Sequence, residues 1–293
     1  MRLVLCGVRG STPAPGPEFV RYGGHTSCVA VAHDGEAPRL LLDAGTGIRR
    51  VTDLLGGAAF RGSILLGHLH WDHTQGLPFF RAGDDPEARV QVLVPAAANG
   101  SPLEVLSRFM SPPHFPIDPT GLRGEWSFGG LEAGDVAGGI EGFDVLALDI
   151  PHKGGRALGL RVSEPGPAGG SVAYLSDHCP VSLGAGPAGL GPYHEAALRL
   201  AEGVDVLVHD AQHTAEELPA RAHFGHSAAE YAVGLAEAAG ARSVLLFHHD
   251  PNRTDDQLDE LAARFSSASI PVTAAVEGAT LDLPAGPLRT SCT

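Results

Sequence analysis

The sequence predicts an α/β (α+β) protein, a four-layer αββα sandwich in which two packed β-sheets carry helices on their outer faces. Two observations predict this fold. Short apolar runs rich in β-branched residues recur along the 293 residues and end at Gly, Asp or His, as strands do. Segments with helical periodicity are few in the first third and later alternate with these runs. Both kinds of element must bury one face, and layered packing achieves this.

The apolar runs predict strands at 3–8, 28–33, 39–43, 63–67, 90–94, 144–149, 157–163, 171–176, 204–208, 243–247 and 272–276. Helical periodicity predicts helices at 46–55, 73–81, 102–109, 193–202, 227–239 and 255–266, the last beginning after Thr254 as N-cap. Stretches rich in Pro and Gly predict loops at 110–143, long enough for a lid or binding loop, and at 164–170. No composition break marks a boundary, so we expect one domain over residues 1–293.

Composition narrows the possible partners. The formal net charge is −14, and no basic stretch offers an electrostatic footprint for DNA or RNA, so the sequence argues against a nucleic-acid partner. A small phosphoester stays compatible as a substrate, because bound metal ions can invert the local sign of charge.

Four cysteines without a C-x-x-C pair indicate a reducing cytoplasm, with Cys6 and Cys28 buried as small hydrophobes. No signal-like opening and no run of about 18 apolar residues is visible, so we expect no membrane segment.

The strongest chemical signal is Gly67-His68-Leu69-His70-Trp71-Asp72-His73, which follows an apolar run and leads into a helix-like segment. Alternate residues of an extended segment point the same way, so His68 and His70 can bind one cation together. The turn into the helix aims Asp72 and His73 toward a second cation. Imidazoles suit Zn or another borderline metal, and a neighbouring carboxylate suits a site that activates water. A His-rich surface loop is the alternative, and we favour the metal site.

This H-x-H-x-D-H pattern resembles the signature of the metallo-β-lactamase superfamily. The superfamily's other motifs are matched in order over nearly the whole chain by Asp43-Ala44-Gly45, Pro151-His152-Lys153-Gly154-Gly155, Leu175-Ser176-Asp177 and Phe247-His248. The similarity is greatest to the branch containing ribonuclease Z and the phosphoribosyl cyclic phosphate phosphodiesterases. One feature behind this likeness is Asp72-His73 combined with a histidine ligand near the end of the chain. The others are Gly225-His226-Ser227 after His209-Asp210-Ala211 and the segments 7–13 and 22–28.

The resemblance implies a metal-dependent hydrolase with a dinuclear site. The implied ligands are His68, His70 and His152 for the first metal, Asp72, His73 and His248 for the second, and Asp177 as the bridge. Two divalent ions would activate water and stabilise charge on phosphorus. The donors favour Zn, and Mn and Fe also fit them. Asp72 would also orient the nucleophile or take its proton.

The resemblance further implies that His226 is a general acid held by Asp210. A carboxylate behind an imidazole fixes its tautomer and favours its protonated form. The alternative is a residue at a helix start, before Ser227. Asp43 is expected to support the metal-bearing loop by hydrogen bonds.

Several neighbouring residues leave alternatives open. His249 could replace its neighbour His248 as a ligand, although the match of Leu246-Phe247-His248 favours His248. His178 stands where the superfamily more often has a small hydroxyl residue. We expect it to be a loop residue that reaches solvent, with an extra ligand as the alternative. Arg9 and Arg21 could clamp a phosphate or form structural ion pairs.

The predicted activity is hydrolysis of a phosphodiester, with a small cyclic ribose phosphate or cyclic nucleotide as substrate. Three alternatives compete with it. Ribonuclease Z-like cleavage would need a basic arm, and no Lys/Arg-rich insertion is visible. A lactone, thioester or β-lactam hydrolase would leave the Asp210 and His226 pair without a purpose. A non-catalytic metal-binding regulatory protein would not need seven ligand positions. The sequence does not determine the oligomeric state, and a homodimer is one assembly compatible with it, because dimers are the commonest closed oligomers.

Overall fold

The structure, a computed structural model, describes residues 1–96, 100–136, 138–166, 168–186 and 188–284, and the backbone of 289–290. Its strands are β1 Arg2–Gly7, β2 Cys28–Ala32, β3 Leu40–Leu42, β4 Arg61–Leu65, β5 Arg89–Pro95, β6 Glu125–Leu131, β7 Gly134–Asp135, β8 Asp144–Ile150, β9 Ala157–Ser163, β10 Ser171–Leu175, β11 Val206–Asp210, β12 Val244–Phe247, β13 Val272–Ala274, β14 Ala279–Asp282 and β15 Arg289–Thr290. Its α-helices are α1 Val51–Leu54, α2 Trp71–Thr74, α3 Pro102–Ser107, α4 Glu195–Ala201, α5 Leu218–Arg221, α6 Ala229–Ala238 and α7 Asp255–Ala263.

The strands form two mixed sheets. The first has the order β15-β14-β1-β2-β3-β4-β5-β6, and the second has the order β13-β12-β11-β10-β9-β8-β7. Strands β3 to β6 are parallel, as are β10 to β13, whereas the remaining pairs are antiparallel. Parallel neighbours need crossover connections, which the helices supply.

Alternation along the strands creates the layers. In β1, Leu3 and Leu5 belong to the core between the two sheets, whereas Val4 packs on the outer face of the first sheet. In β10, Tyr174 faces the inter-sheet core and Leu175 packs on the outer face of the second sheet. Side chains of α1 and α3 cover the first outer face, and those of α4, α6 and α7 cover the second. The αββα prediction is therefore confirmed.

Each of the eleven predicted strands is present within two residues of its expected start, and α7 begins at its predicted cap. Thr254 accepts a hydrogen bond from the Gln257 amide, and the Gln257 side chain accepts one from the Thr254 amide. Cys6 and Cys28 are buried as expected, whereas Cys292 lies outside the described residues. Among the described helices, none has the length and apolar character needed to cross a membrane.

Two predicted elements are wrong. The stretch 110–143 is not all loop, because it contains β6 and β7. In β6, Gly129 and Gly130 dilute the apolar alternation, and the strand forms because it pairs with β5 over seven residues. The helix expected at 73–81 is only α2 followed by a 3₁₀ turn at Leu77–Phe79. Proline at 78 lacks the amide that a continuing helix would need. The short strands β14 and β15 were not predicted.

Candidate active site

The seven predicted ligands lie together at one edge of the two sheets. Strands β3, β4, β8, β10 and β12 all deliver the chain to this edge, where their carboxyl ends meet. Carboxyl ends of parallel strands are a general place for ligand sites. Donor atoms within 4.8 Å of one another form three groups among the described residues: His68, His70, His152 and Asp177; Asp72, His73 and His248; and Asp177, His226 and His248.

Asp177 stands between the first two groups. Its Oδ1 lies 3.0 Å from Nε2 of His73 and 3.0 Å from Nε2 of His248. Its Oδ2 lies 3.5 Å from Nε2 of His68 and 3.5 Å from Nε2 of His152. Each carboxylate oxygen therefore faces one group, which is the arrangement that a bridging ligand needs.

Buried ligand atoms without a hydrogen-bond partner indicate that these residues fit metal ions. The buried Nε2 of His68 and Oδ1 of Asp177 have no hydrogen-bond partner within the described residues. Nε2 of His152 lies 3.2 Å from Nδ1 of His70, and the Nε2 atoms of His73 and His248 are 3.3 Å apart. Donors bound tetrahedrally at about 2.0–2.1 Å lie about 3.3 Å apart, so this spacing suits a shared cation.

The protonation states of the first group, His68, His70, His152 and Asp177, agree with this interpretation. Burial lowers the pKa of His68, His70 and His152, so their rings are neutral and offer a lone pair. The pKa of Asp177 lies well below its usual range, because nearby His248 and His73 outweigh the opposing effect of burial. Nδ1–H of His152 donates to the Gly225 carbonyl at 2.8 Å, which leaves its Nε2 free to bind.

Asp43 supports the cluster from behind. Its Oδ1 accepts a hydrogen bond from the Gly67 amide at 2.8 Å. Its Oδ2 accepts hydrogen bonds from Nδ1–H of His73 at 2.7 Å, from the Tyr174 hydroxyl at 2.8 Å and from the Ser176 hydroxyl at 3.1 Å. The carboxylate thus fixes the tautomer of His73 and holds the start of the histidine-rich segment, as expected.

The loop after β1 also reaches the cluster, although sequence reasoning assigned it no contact there. The Ser11 amide donates to Oδ2 of Asp72 at 2.6 Å. A Cβ atom at Gly10 would lie 2.4 Å from Nδ1 of His248, so only glycine fits there. Gln212 donates to the Ser11 hydroxyl at 3.0 Å and lies 3.5 Å from Nδ1 of His248. The resemblance of segment 7–13 was the available signal for these contacts.

His226 and Asp210 form the expected pair beside the cluster. Nδ1 of His226 donates to Oδ2 of Asp210 at 3.0 Å, and the ring centroids of His226 and His248 are 4.9 Å apart. Burial disfavours charge on His226, but the Asp210 carboxylate and its hydrogen bond outweigh burial and raise the pKa to about 9. Lys153 donates to the His223 carbonyl at 2.8 Å and thereby helps to hold the loop that carries His226.

The structure gives the adjacent residues His248 and His249 different contacts, and it shows the partners of Arg9 and Arg21. His248 faces Asp72 and Asp177, whereas Nε2 of the buried His249 donates to the Ala275 carbonyl at 2.8 Å. Arg9 is buried and donates to the carbonyls of residues 23, 250 and 253. Arg21 forms ion pairs with the carboxylates of 255, 256 and 259. His248 is therefore placed as the ligand candidate, and both arginines have structural partners.

The expectation that His178 reaches solvent is wrong, because this side chain is fully buried. Its Nδ1 lies 2.9 Å from Nε2 of His209, and its Nε2 lies 2.8 Å from Nε2 of His194. Nδ1 of His209 donates to the Asp210 carbonyl at 2.7 Å, so its Nε2 must accept from His178. The chain of donors then requires His194 to donate to His178. All three rings are neutral, since burial lowers the pKa of each.

The histidine chain leads to a stability prediction. His178→Ala should destabilise the fold by about 2–4 kcal/mol, because it leaves His209 Nε2 buried without a donor and opens a cavity. Urea unfolding followed by circular dichroism measures the change. His223→Ala, at an exposed histidine, is the matched control and should change stability by less than about 0.5 kcal/mol. Equal effects of the two substitutions would contradict the role given to His178.

The αββα fold and a His/Asp cluster able to bind metal define a metal-dependent hydrolase. The chain belongs to the family described as the β-lactamase superfamily domain, whose model matches residues 38–249. Ribonuclease Z of Natronomonas pharaonis is 23% identical, with 97% of this chain and 98% of the relative covered. Two solved structures share the fold. A diphosphatase of the PhnP family has a TM-score of 0.70 at 18% sequence identity, and the match covers 97% of this chain and 98% of the diphosphatase. Human tRNase Z, short form, has a TM-score of 0.66 at 19% sequence identity, and the match covers 97% of this chain and 100% of tRNase Z.

These similarities confirm the predicted superfamily and the predicted branch. They do not support the expectation against a nucleic-acid partner, since the curated relatives carry the name ribonuclease Z. The acidic net charge was the reason for that expectation, and it describes the whole surface, not the neighbourhood of the site.

Proposed function

We propose that this protein is a phosphodiesterase that hydrolyses a small cyclic ribose phosphate or a cyclic nucleotide at a dinuclear metal site. The observation that carries the proposal is the His226 and Asp210 pair beside the ligand cluster. A proton donor next to two cation sites is what an ester with a poor alkoxide leaving group requires. The names of the relatives, ribonuclease Z and diphosphatase, agree with a phosphoester substrate.

In this proposal, His68, His70, His152 and Asp177 would hold one divalent ion, and Asp72, His73 and His248, with Asp177 next to them, would hold the other. Zn suits these nitrogen and oxygen donors, and Mn and Fe are compatible with them. When bound, such ions supply a water activated at neutral pH and stabilise negative charge on phosphorus.

The remaining steps fall to side chains of this chain. Asp72 is fixed by the Ser11 amide and lies 3.0 Å from Nε2 of His248, so its carboxylate can orient the attacking water and accept its proton. His226 donates from Nδ1 to Asp210, which leaves the Nε2 proton for the leaving oxygen. Asp210 stays ionised, because His226 and its hydrogen bond outweigh burial and keep the pKa of the carboxyl low.

His226→Ala should lower turnover by about 10²–10⁴-fold while both ions stay bound. The proton on His226 is lost above a pKa of about 9, and bound cations would lower this value. The wild-type rate should therefore fall on the alkaline side at or below pH 9, and the variant should lack this decline. Metal analysis and a pH–rate profile provide the measurement. A variant that has lost an ion would instead make His226 a ligand, as its grouping with Asp177 and His248 allows.

A ribonuclease Z-like endonuclease is the second candidate. The observation in its favour is that a protein named ribonuclease Z is similar over 97% of this chain. Against it stand the net charge of −14 and the lack of a Lys/Arg-rich insertion in the sequence.

One panel of substrates separates the candidates. The purified protein is analysed for metal and then assayed with bis-p-nitrophenyl phosphate, cyclic nucleotides, a precursor transfer RNA, a lactone and nitrocefin. Turnover of the small diesters supports the proposal. Cleavage of the RNA alone supports the endonuclease, and lactone turnover without diester turnover overturns both.

A further inference from the structure

An aromatic cavity lies beside α2, the helix that carries Asp72 and His73, and the mechanism above does not use it. Its volume is about 370 Å³. Its wall is formed by aromatic and apolar side chains from α2, the turn after it and the segment after α3, among them Trp71, Phe79, Phe109, Met110 and Phe115. Trp71 lies in the sequence between the predicted ligands His70 and Asp72, so one wall of the cavity belongs to the segment that also carries these ligands.

Two rings of this cavity are open to solvent. Trp71 is 74% exposed and Phe79 is 59% exposed, which are high values for large apolar side chains. Phe79 and Phe115 meet edge to face with centroids 5.8 Å apart. An aromatic ring exposed to water does not gain the free energy that burial would provide. Such a ring can stack on a planar group of a ligand.

The rim of the cavity supplies polar groups. Gln75, Arg108 and His114 line it along with the aromatic residues. An apolar slot with a few polar groups at its edge is typical of small-molecule sites, whose volumes run from about 300 to 1,000 Å³. Stacking on rings combined with hydrogen bonds to the edge of the stacked group is how proteins recognise single nucleobases.

We infer that this cavity binds the nucleobase of a mononucleotide substrate whose phosphodiester lies at the metal cluster. The inference rests on the proposed function and narrows it, because it selects a cyclic nucleotide over a ribose phosphate that lacks a base. Its grounds are the position of the lining residue Trp71 between two predicted ligands in the sequence, the exposed faces of Trp71 and Phe79, and the polar rim.

Steady-state kinetics of two substrates tests the inference. Adenosine 2′,3′-cyclic phosphate carries a base, and the 2′,3′-cyclic phosphate of methyl riboside does not. KM should be about 10–100-fold lower for the adenosine compound, given the usual contribution of base stacking. Phe115→Ala should reduce this ratio toward one with metal content unchanged, and Trp71→Phe should largely keep it. Val20→Ala, at an exposed apolar side chain outside the lining, is the control and should keep the wild-type ratio.

The outcomes separate this inference from the proposed function. Hydrolysis of both cyclic phosphates with equal KM would overturn the base site and leave the phosphodiesterase proposal standing. Failure to hydrolyse either compound or bis-p-nitrophenyl phosphate would overturn the proposed function. If the preference for a base appeared only with an oligoribonucleotide, the inference of a mononucleotide would be wrong.

Discussion

Asp177→Asn is expected to reduce turnover by about 10³-fold or more and to lower the metal content to at most one ion per chain. Each carboxylate oxygen of Asp177 faces a different group of imidazoles, at 3.0 Å for His73 and His248 and at 3.5 Å for His68 and His152. An amide can offer its oxygen to only one group and presents an N–H₂ to the other. The substitution also removes the negative charge that would offset two cations in a buried site.

Elemental analysis of the purified variant and turnover of bis-p-nitrophenyl phosphate measure the two effects. Asp205→Asn is a matched control, because Asp205 is also a buried carboxylate next to β11. It accepts hydrogen bonds from Ser171 and pairs with Arg242, and it belongs to none of the potential metal groups among the described residues. The control should keep its metal even if it is less stable. Full metal content and normal turnover in Asp177→Asn would refute the bridging role.

The parts of the site that could be predicted are those whose geometry is local. Residues 68–73 alternate along an extended segment and then enter a helical turn, so spacing alone places their side chains in two directions. The carboxyl ends of neighbouring strands meet at one edge, and this makes the ligands after β8, β10 and β12 neighbours although they are distant in sequence.

The parts that could not be predicted depend on tertiary packing. His178 adjoins Asp177, yet it turns away from the cluster because His209 and His194 complete its hydrogen bonds in the interior. The aromatic cavity joins side chains about 40 positions apart, and no local pattern relates Trp71 to Phe115. In β6 the strand exists through its pairing with β5 and not through its own composition.

Asp43→Asn is expected to destabilise the protein by about 3–5 kcal/mol and to weaken metal binding by about 10–100-fold. The Asp43 carboxylate accepts four hydrogen bonds in a fully buried position, from the Gly67 amide, from His73 and from two hydroxyls. An asparagine can still accept the hydrogen bond from the Gly67 amide. Its side-chain N–H₂ then faces the imidazole and the two hydroxyls, which are themselves donors. Since an amide N–H₂ cannot accept from His73, the imidazole would move its proton to Nε2 and lose the lone pair that faces Asp177.

Tyr174→Phe is the graded control for this prediction. It removes one of the four donors to Asp43 and leaves the tautomer of His73 unchanged, so it should cost only about 1 kcal/mol and keep the metal affinity. Urea unfolding of the metal-free variants gives the stabilities, and competition with a chromogenic chelator gives the affinities. A loss of stability in Asp43→Asn with unchanged affinity would show that the carboxylate only supports the loop. A weakened affinity shared by both variants would show that packing around Tyr174, and not the tautomer of His73, controls metal binding.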